Sequence, residues 1–269
     1  MIAPSNWMPP RAWAMPVLLG ALAGCVSHTS TSRISDESRT APDDSDVRKR
    51  ARARLELASS YYENGQHAIA LDEAQKVMQV DPSFSEGYNL SGLIYLAMNE
   101  QNLAQNHFER AISLAPNNAD ALHNLGWLQC QMGRYAVAEQ SFQRAMAVPL
   151  YPSRAKTLMA QGVCQARGGD KAKAEATLRR SYELDPGNPV TGYSLAQLLY
   201  QRRNYTWAKF YIRRINNSEQ ANAQSLWLGI NIERRLKNSV AMQQLAGQLG
   251  RRFAQSREFQ NYQKGAFDE

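Results

Sequence analysis

Residues 85–118 read SEGYNLSGLIYLAMNEQNLAQNHFERAISLAPNN, and the segments on either side repeat the same order of small, large and turn-forming residues. Pro82 and Pro116 close similar segments, and Pro186 closes a third one. A fixed period of about 34 residues with helical spacing of apolar positions predicts helix pairs. No single pair can bury its own apolar face, so several pairs must stack.

The four units that begin at residues 51, 85, 119 and 155 resemble tetratricopeptide repeats. Each has small residues at positions 8 and 20 and a larger one at or near position 24, which lets its two helices approach closely. Position 8 is occupied by Ala58, Gly92, Gly126 and Gly162, and position 20 is occupied by Ala70, Ala104, Ala138 and Ala174. Two weaker units follow, from residue 189 and from about residue 222.

The resemblance implies an all-α tetratricopeptide-repeat solenoid of about six helix pairs in a right-handed superhelix over residues 48–255. Residues 256–269 are then expected to form a polar cap or tail. The fourth unit begins two positions later than the regular period would place it, and Pro149 and Pro152 replace a single closing proline. This predicts a longer or bent connection between the third and fourth units.

The first 24 residues have a single charge, Arg11, followed by a short apolar run, which is typical of an export signal. Residues 22–25, LAGC, resemble the lipobox of bacterial lipoproteins, in which the cysteine is acylated and begins the mature chain. The resemblance implies a signal peptide over 1–24 and lipidation of Cys25. Val26 in place of Asp favours the outer membrane. An ordinary signal peptide with a chance cysteine is the alternative.

Residues 26–47 contain many Ser, Thr and Asp and few apolar residues, so together with Cys25 we expect a lipidated, flexible tether over 25–47. Two cysteines remain beyond it. Cys130 and Cys164 could pair in an oxidising compartment, or they could stay as buried free thiols, and we favour the thiols.

No motif of catalysis or metal binding is present in the sequence. The four histidines lack metal-ligand spacing, and neither a nucleophile elbow nor a phosphate-binding loop occurs. We therefore predict a protein that is not an enzyme, with no cofactor, no metal and no small-molecule substrate.

The formal net charge of +7 is unevenly distributed. Residues 48–54, RKRARAR, are either a solvated first helical turn or a segment attracted to an anionic membrane. Five basic residues lie among aromatic residues further on and are predicted to form a basic patch: Arg202, Arg203, Lys209, Arg213 and Arg214. The patch could bind an acidic partner, or the aromatics could belong to the core beneath a solvated face. An exported protein meets little nucleic acid, so we expect no nucleic-acid partner.

In the family that these repeats resemble, positions 2, 5, 9, 12 and 13 of each first helix line the concave face. Ten residues are assigned to this partner-binding groove: Leu55, Tyr62, Leu93, Leu96, His123, Trp127, Met159, Val163, Tyr193 and Tyr200. A groove with such an apolar lining is suited to binding an extended apolar peptide. Alternatively, neighbouring repeats or the tether cover part of it.

The combination of lipobox, tether and about six repeats resembles the type IV pilus biogenesis/stability lipoproteins, which act as pilotins. The resemblance implies an outer-membrane lipoprotein facing the periplasm. It would bind secretin subunits, promote their outer-membrane localisation and multimerisation, and so support pilus assembly and twitching motility. The alternative is a tetratricopeptide-repeat scaffold lipoprotein for envelope assembly or cell-wall enzymes.

Overall fold

The computed structural model describes residues 45–267, which contain thirteen helices and no strand. Twelve of them form six consecutive pairs: α1 (Asp46–Glu63) with α2 (His67–Val80), α3 (Ser85–Ala97) with α4 (Gln101–Leu114), α5 (Ala119–Gln131) with α6 (Tyr135–Ala147), α7 (Arg154–Arg167) with α8 (Lys171–Leu184), α9 (Pro189–Gln201) with α10 (Tyr205–Asn216), and α11 (Ala223–Arg235) with α12 (Ser239–Arg252). The short α13 (Arg257–Gln263) follows. The predicted all-α solenoid of about six helix pairs is confirmed.

Helix α1 begins two residues before the predicted repeat domain. The side chain of Ser45 accepts a hydrogen bond from the backbone N–H of Arg48 and caps the helix, and Asp46 places a negative charge in its first turn. Both features stabilise a helix N-terminus. The predicted signal peptide, Cys25 and the tether up to residue 44 lie outside the described residues.

The turn inside every pair uses one residue with a positive φ angle. The six positions recur with the repeat period, with two extra positions between the third and the fourth: Gly65, Asn99, Gly133, Gly169, Arg203 and Lys237. After each of them, the next N–H bonds to a carbonyl five residues back, as in the bond from Gln66 to Tyr61. This is the Schellman ending of a helix. The second, fifth and sixth turns therefore keep the geometry without glycine.

Within a pair, the two helices meet at position 8. A Cβ atom added to Gly92 would lie 2.5 Å from the ring of Phe108, and one added to Gly126 would lie 2.9 Å from the ring of Phe142. Such distances are too short for any side chain. In these two pairs the glycine at position 8 is therefore required by the aromatic ring that faces it from the second helix.

Wherever the backbones of consecutive pairs come within 8 Å between Cα atoms in the described stack, the first helix of the later pair is involved. Among the described helices, α1, α3, α5, α7, α9 and α11 each contact the next in this series, and each second helix from α2 to α10 contacts the first helix that follows it. The backbones of two second helices in the described stack never come this close, although side chains bridge them, as from Arg179 on α8 to Tyr211 on α10. The first helices therefore form the inner layer of the stack, and the second helices form the outer layer. A face lined by first helices is the inner face of the solenoid.

The connection between the third and fourth pairs is irregular, as the longer spacing predicted. Leu150 is almost fully exposed and has a φ of 55°, whereas the next residue, Tyr151, is buried. The hydroxyl of Tyr151 donates to a carboxylate oxygen of Asp120 at 3.0 Å. The two extra residues of this connection thus allow the side chain of Tyr151 to pack inside the stack.

Two features differ from the sequence-based expectations. Cys130 and Cys164 are joined by a disulfide, so the preference for free thiols was wrong. The segment after α12 is also not a simple polar cap. Phe259, Tyr262 and Phe267 pack on the apolar cluster around Leu226 and Ile230, and the rings of Phe267 and Trp227 stack with centroids 5.6 Å apart. Aromatic burial therefore closes this end of the described stack.

Candidate protein-binding surfaces

The ten predicted groove residues all lie on first helices. They are Leu55 and Tyr62 on α1, Leu93 and Leu96 on α3, His123 and Trp127 on α5, Met159 and Val163 on α7, and Tyr193 and Tyr200 on α9. Because the first helices form the inner layer, the ten residues follow that layer through five successive pairs. The structure thus brings them onto one side of each pair.

Much of this apolar lining is used in packing. Nine of the ten side chains are half-buried, and His123 is buried. Leu93 and Leu96 pack on the cluster around Phe108 and Leu122, and Val163, Tyr193 and Tyr200 pack on the cluster around Leu178 and Leu195. The groove residues therefore present partial apolar surfaces to a ligand, with their remaining area shared between neighbouring repeats.

His123 acts within the structure. Its Nδ1 atom lies 2.9 Å from the hydroxyl oxygen of Thr157 on α7, which links two first helices. Burial, together with the positive charge of Lys156, lowers the pKa of His123 to about 4. The imidazole is therefore neutral near pH 7 and links the two helices.

A cleft of about 280 Å³ opens between α7 and α9 on the inner face. Val163, Ala166 and Leu198 supply apolar area, and Ser194, Gln197 and Gln201 supply polar groups. Arg167 and Lys171 add positive charge, and the Arg167 guanidinium also lies 5.3 Å from the ring centre of Trp127. This cleft can hold an apolar side chain beside a carboxylate.

A second and larger cavity, of about 670 Å³, lies where α9 meets α11. Its lining is aromatic and cationic: Tyr200, Gln201, Arg203, Tyr205, Arg234 and Arg235. The Tyr200 hydroxyl is buried and has no hydrogen-bond partner among the described atoms. The inner face therefore becomes more basic toward the last pairs, which suits a peptide carrying acidic as well as apolar residues.

The predicted basic patch does not form one surface. Arg202 is ion-paired with Glu175, and Lys209 is ion-paired with the buried Glu233 at 2.9 Å. Arg203 lines the cavity between α9 and α11, whereas Arg213 and Arg214 lie at the far end of α10. Two of the five charges are therefore neutralised locally, and Arg203 is separated from Arg213 and Arg214 by the length of α10.

The arginines of residues 48–54 are also partly paired. Arg48 forms an ion pair with Asp81 at 2.7 Å and stacks over the Phe84 ring, and Arg54 bonds to Glu73 at 3.1 Å. The pKa of Asp81 is lowered mainly by the hydrogen bond that the Ser83 hydroxyl donates to its carboxylate, and further by the positive charge of Arg48. These residues belong to α1 and tie it to α2, so a part of the basic segment has a structural role.

The aromatic residues of α10 are divided between core and surface. Tyr211 is buried, and its hydroxyl accepts a hydrogen bond from Arg179 at 2.7 Å. Trp207 and Phe210 are instead 47% and 55% exposed. The sequence contained the signal for this exposure, because the two residues lie three apart on the face opposite Ala208 and Ile212.

Sequence reasoning missed the residues that surround the inner clefts. Ser194, Gln197, Gln201, Arg234 and Arg235 were not assigned to any site. They lie in the first helices of weak repeats, where no family pattern identified them. Among residues 45–267, no group of acidic, histidine or cysteine side chains could hold a metal ion, and no helix there is long and apolar enough to cross a membrane.

Comparison with known proteins agrees with the repeat architecture. Models described as tetratricopeptide repeat match residues 85–118 and residues 123–189. The matched segments cover the second unit and most of the third and fourth. The chain therefore contains segments that match tetratricopeptide repeats, within a stack of helix pairs of the same architecture.

The chain is also similar to proteins of one system along most of its length. It is 26% identical over 254 residues to the type IV pilus assembly protein PilF of Pseudomonas aeruginosa, covering 94% of this chain and 98% of that protein. The solved structure of P. aeruginosa PilF matches with a TM-score of 0.74 and 25% identity over 81% of this chain and 99% of that one.

PilW, described as a widely conserved type IV pilus biogenesis factor, gives a comparable match. Its crystal structure has a TM-score of 0.73 and 27% identity, and the alignment covers 80% of this chain and 98% of that one. The likeness to both proteins extends across the repeat domain rather than a shared pair, so it reflects homology of that whole domain.

Proposed function

We propose that this chain, a tetratricopeptide-repeat protein homologous to PilF and PilW, is a lipid-anchored outer-membrane adaptor for type IV pilus assembly. In this role it binds secretin subunits as a pilotin and promotes their outer-membrane localisation and multimerisation. The chain is held at the periplasmic face through acylated Cys25, and it works by recognition rather than catalysis.

The similarity to PilF along most of the chain supports assigning this protein to type IV pilus assembly. The alignment to PilF covers 94% of this chain and 98% of that protein at 26% identity, so the sequence similarity is not confined to a few helix pairs. The export signal and the LAGC sequence at residues 22–25 support the membrane anchor. Together they suggest an exported repeat protein that serves the same assembly process as its homologues.

The observation that carries the binding mechanism is the inner face between α3 and α11. Leu93, Trp127 and Val163 present apolar area there, and Arg167 and Arg203 add charge beside the clefts. An extended secretin segment with apolar residues and nearby carboxylates would satisfy both features. Binding on first helices would leave the outer helices accessible for other contacts.

The experiment replaces Leu93 and Trp127 with glutamate in the full chain and measures secretin multimers in cells. Both side chains are half-buried on the inner face, so a charge there repels an apolar ligand segment. We expect loss of multimers while the protein remains folded and anchored. A milder pair, L93A/W127A, is made in parallel in case the charged pair lowers stability.

The matched control is L103E/V137E. Leu103 and Val137 lie on α4 and α6, the outer helices of the same two pairs, and are 42% and 46% exposed. This pair should leave multimers unchanged. Normal multimers in folded L93E/W127E and L93A/W127A variants would contradict the inner-face mechanism.

The partner and the anchor are tested separately. A pull-down with mass spectrometry should recover a secretin, whereas recovery of murein hydrolases or barrel-assembly factors would favour a scaffold for envelope assembly or cell-wall enzymes.

Replacement of Cys25 by serine should abolish incorporation of labelled fatty acid and release the chain from the outer-membrane fraction. Retention of the C25S variant in that fraction would contradict the lipid anchor.

A further inference from the structure

Two large aromatic side chains stand on the outer surface of α10. Trp207 is 47% exposed and Phe210 is 55% exposed, and their ring centroids are 5.5 Å apart in an edge-to-face contact. They lie three residues apart and hence on one face of the helix, while Ala208 and Ile212 on the other face are buried. The helix therefore has apolar surface on both its core side and its solvent side, which soluble outer helices do not need for folding.

Positive charges surround these rings. Arg213 and Arg214 occupy the last turn of α10 and are exposed. Arg214 follows Trp207 by two helical turns, which places both on the same side of the helix. No Asp or Glu occurs between residues 188 and 218, and two acids that contact this region, Glu175 on α8 and Glu233 on α11, are ion-paired with Arg179, Arg202 and Lys209. The charged side chains that α10 itself carries are therefore all basic.

We infer that this outer aromatic surface, formed by Trp207, Phe210, Arg213 and Arg214, binds the headgroup region of an anionic phospholipid bilayer. Indole and phenyl rings partition into the boundary between acyl chains and headgroups, and guanidinium groups bind lipid phosphates. A bilayer is contacted by side chains that project from a convex helix, whereas a peptide ligand is held in a cleft. The exposed rings of Trp207 and Phe210 have the first form, and Arg214 beside them borders a cleft of about 400 Å³.

The outer position of α10 has a consequence for orientation. The first helices and their clefts lie in the inner layer, so contact between α10 and lipid leaves the inner face accessible. An acyl anchor alone holds a protein at a membrane without fixing its orientation, and a second contact supplies that constraint. The inference goes beyond the proposed function, and it rests on that proposal only for the presence of the anchor.

The test uses residues 26–269, which lack the lipidation site and contain all the described residues. In a W127F/W227F background Trp207 is the remaining tryptophan, because Trp7 and Trp13 precede residue 26. Vesicles of phosphatidylglycerol with phosphatidylethanolamine should shift the Trp207 emission to shorter wavelength, and brominated lipids should quench it. Pure phosphatidylcholine vesicles should have little effect, and about 0.5 M salt should reverse most of the binding.

Vesicle flotation of the chain with all its native tryptophans gives an independent measurement. W207S/F210S should lower the bound fraction strongly, and R213Q/R214Q should weaken binding to anionic vesicles by roughly tenfold or more. The matched control, L103S/V137S, removes similarly exposed apolar side chains from α4 and α6 and should bind as the parent chain does.

Equal flotation of W207S/F210S and the parent chain would overturn the inference. Binding of a polyglutamate peptide in an R213Q/R214Q-sensitive manner without any vesicle binding would also overturn it, and would assign the surface to an acidic polypeptide. No secretin is present in these experiments. Their failure is therefore distinguishable from failure of the proposed adaptor function, which is read from multimers in cells.

Discussion

Cys130 of α5 and Cys164 of α7 are covalently joined, with their Cα atoms 5.7 Å apart. Both residues are almost completely buried, in a cluster with Ala138, Phe142 and Ala160. The bond connects the first helices of the third and fourth pairs. It therefore links the two repeats between which the regular repeat period is interrupted.

Removal of this bond should lower stability markedly. A cross-link between cysteines at a sequence separation of 34 restricts the unfolded state, and its loss is expected to lower the free energy of unfolding by about 3 kcal/mol. The C130A/C164A variant, measured by urea unfolding, should show this loss. A reductant should destabilise the parent chain and leave the variant unaffected, and an unchanged parent midpoint after reduction would contradict the prediction.

The positive φ angles of the helix turns predict opposite effects for two substitutions. Lys237 has a φ of 57°, a region that disfavours a β-carbon, so K237G should raise the free energy of unfolding by about 0.5–1 kcal/mol. Gly133 has a φ of 75° with open space around it, so G133A should lower stability by about 1 kcal/mol through backbone strain alone.

Gly247 provides the control for the turn variants. It lies inside α12 with helical backbone angles, and an added Cβ would meet only the end of the flexible Arg251 side chain. G247A should therefore stabilise the chain by up to about 1 kcal/mol. Thermal unfolding of all three variants checks the signs, and a loss of stability in G247A equal to that in G133A would contradict the turn argument.

The contact between Gly92 and Phe108 predicts a strong coupling between the two positions. A Cβ at residue 92 would lie 2.5 Å from the ring, so G92A should destabilise by about 1–3 kcal/mol as overpacking. F108L leaves more room, and the G92A/F108L double variant should lose less stability than the two single losses added together. A double-mutant cycle measures this coupling, and simple additivity would disprove it.

His123 predicts how stability depends on pH. Its pKa of about 4 in the folded chain lies below the ordinary value of 6.5, so the unfolded chain binds the proton first as pH falls. Stability should therefore decrease between about pH 6.5 and pH 4 by up to about 3 kcal/mol, and no such effect is expected above pH 7.

The H123N variant isolates this effect. Asparagine can keep a hydrogen bond to Thr157 but does not titrate in this range. The parent chain also contains carboxyl groups with lowered pKa, such as Glu73 and Glu139, which weaken folding at more acidic pH. As pH falls from 6.5 to 4, the parent chain should lose more unfolding free energy than H123N does. Parallel curves of unfolding free energy against pH for the two proteins would contradict the assignment.

The regular part of the fold could be predicted because the relevant constraints are local. Each repeat contains its own small residues, such as Gly92, and most contain a closing proline. The spacing of these residues can therefore be recognised directly in the sequence. The placement of groove positions on first helices follows from the same period. The weak fifth and sixth repeats keep enough of the pattern to be recognised even though Arg203 and Lys237 replace the turn glycine.

Contacts between repeats were harder to predict. The pairing of Cys130 with Cys164, the ion pairs of Arg202 and Lys209, and the burial of His123 depend on which side chains of adjacent pairs meet. Sequence spacing fixes the helix face but not the identity of the partner across it. The aromatic closure by Phe267 was likewise hidden, because the segment after α12 is polar on average.

The backbones of successive outer helices in the described stack do not come within 8 Å of each other between Cα atoms, whereas those of successive first helices do. Side chains bridge the outer helices instead, as in the ion pair of Lys173 with Glu139 and the hydrogen bond from Arg179 to Tyr211. The inner layer is therefore the stiffer one, and bending of the domain changes mainly the side-chain bridges of the outer layer. Since the disulfide fastens the inner layer between the third and fourth pairs and the Lys173–Glu139 pair bridges the outer layer there, we expect the least bending at that junction. A ligand segment would then adjust the width of its binding face in the other pairs.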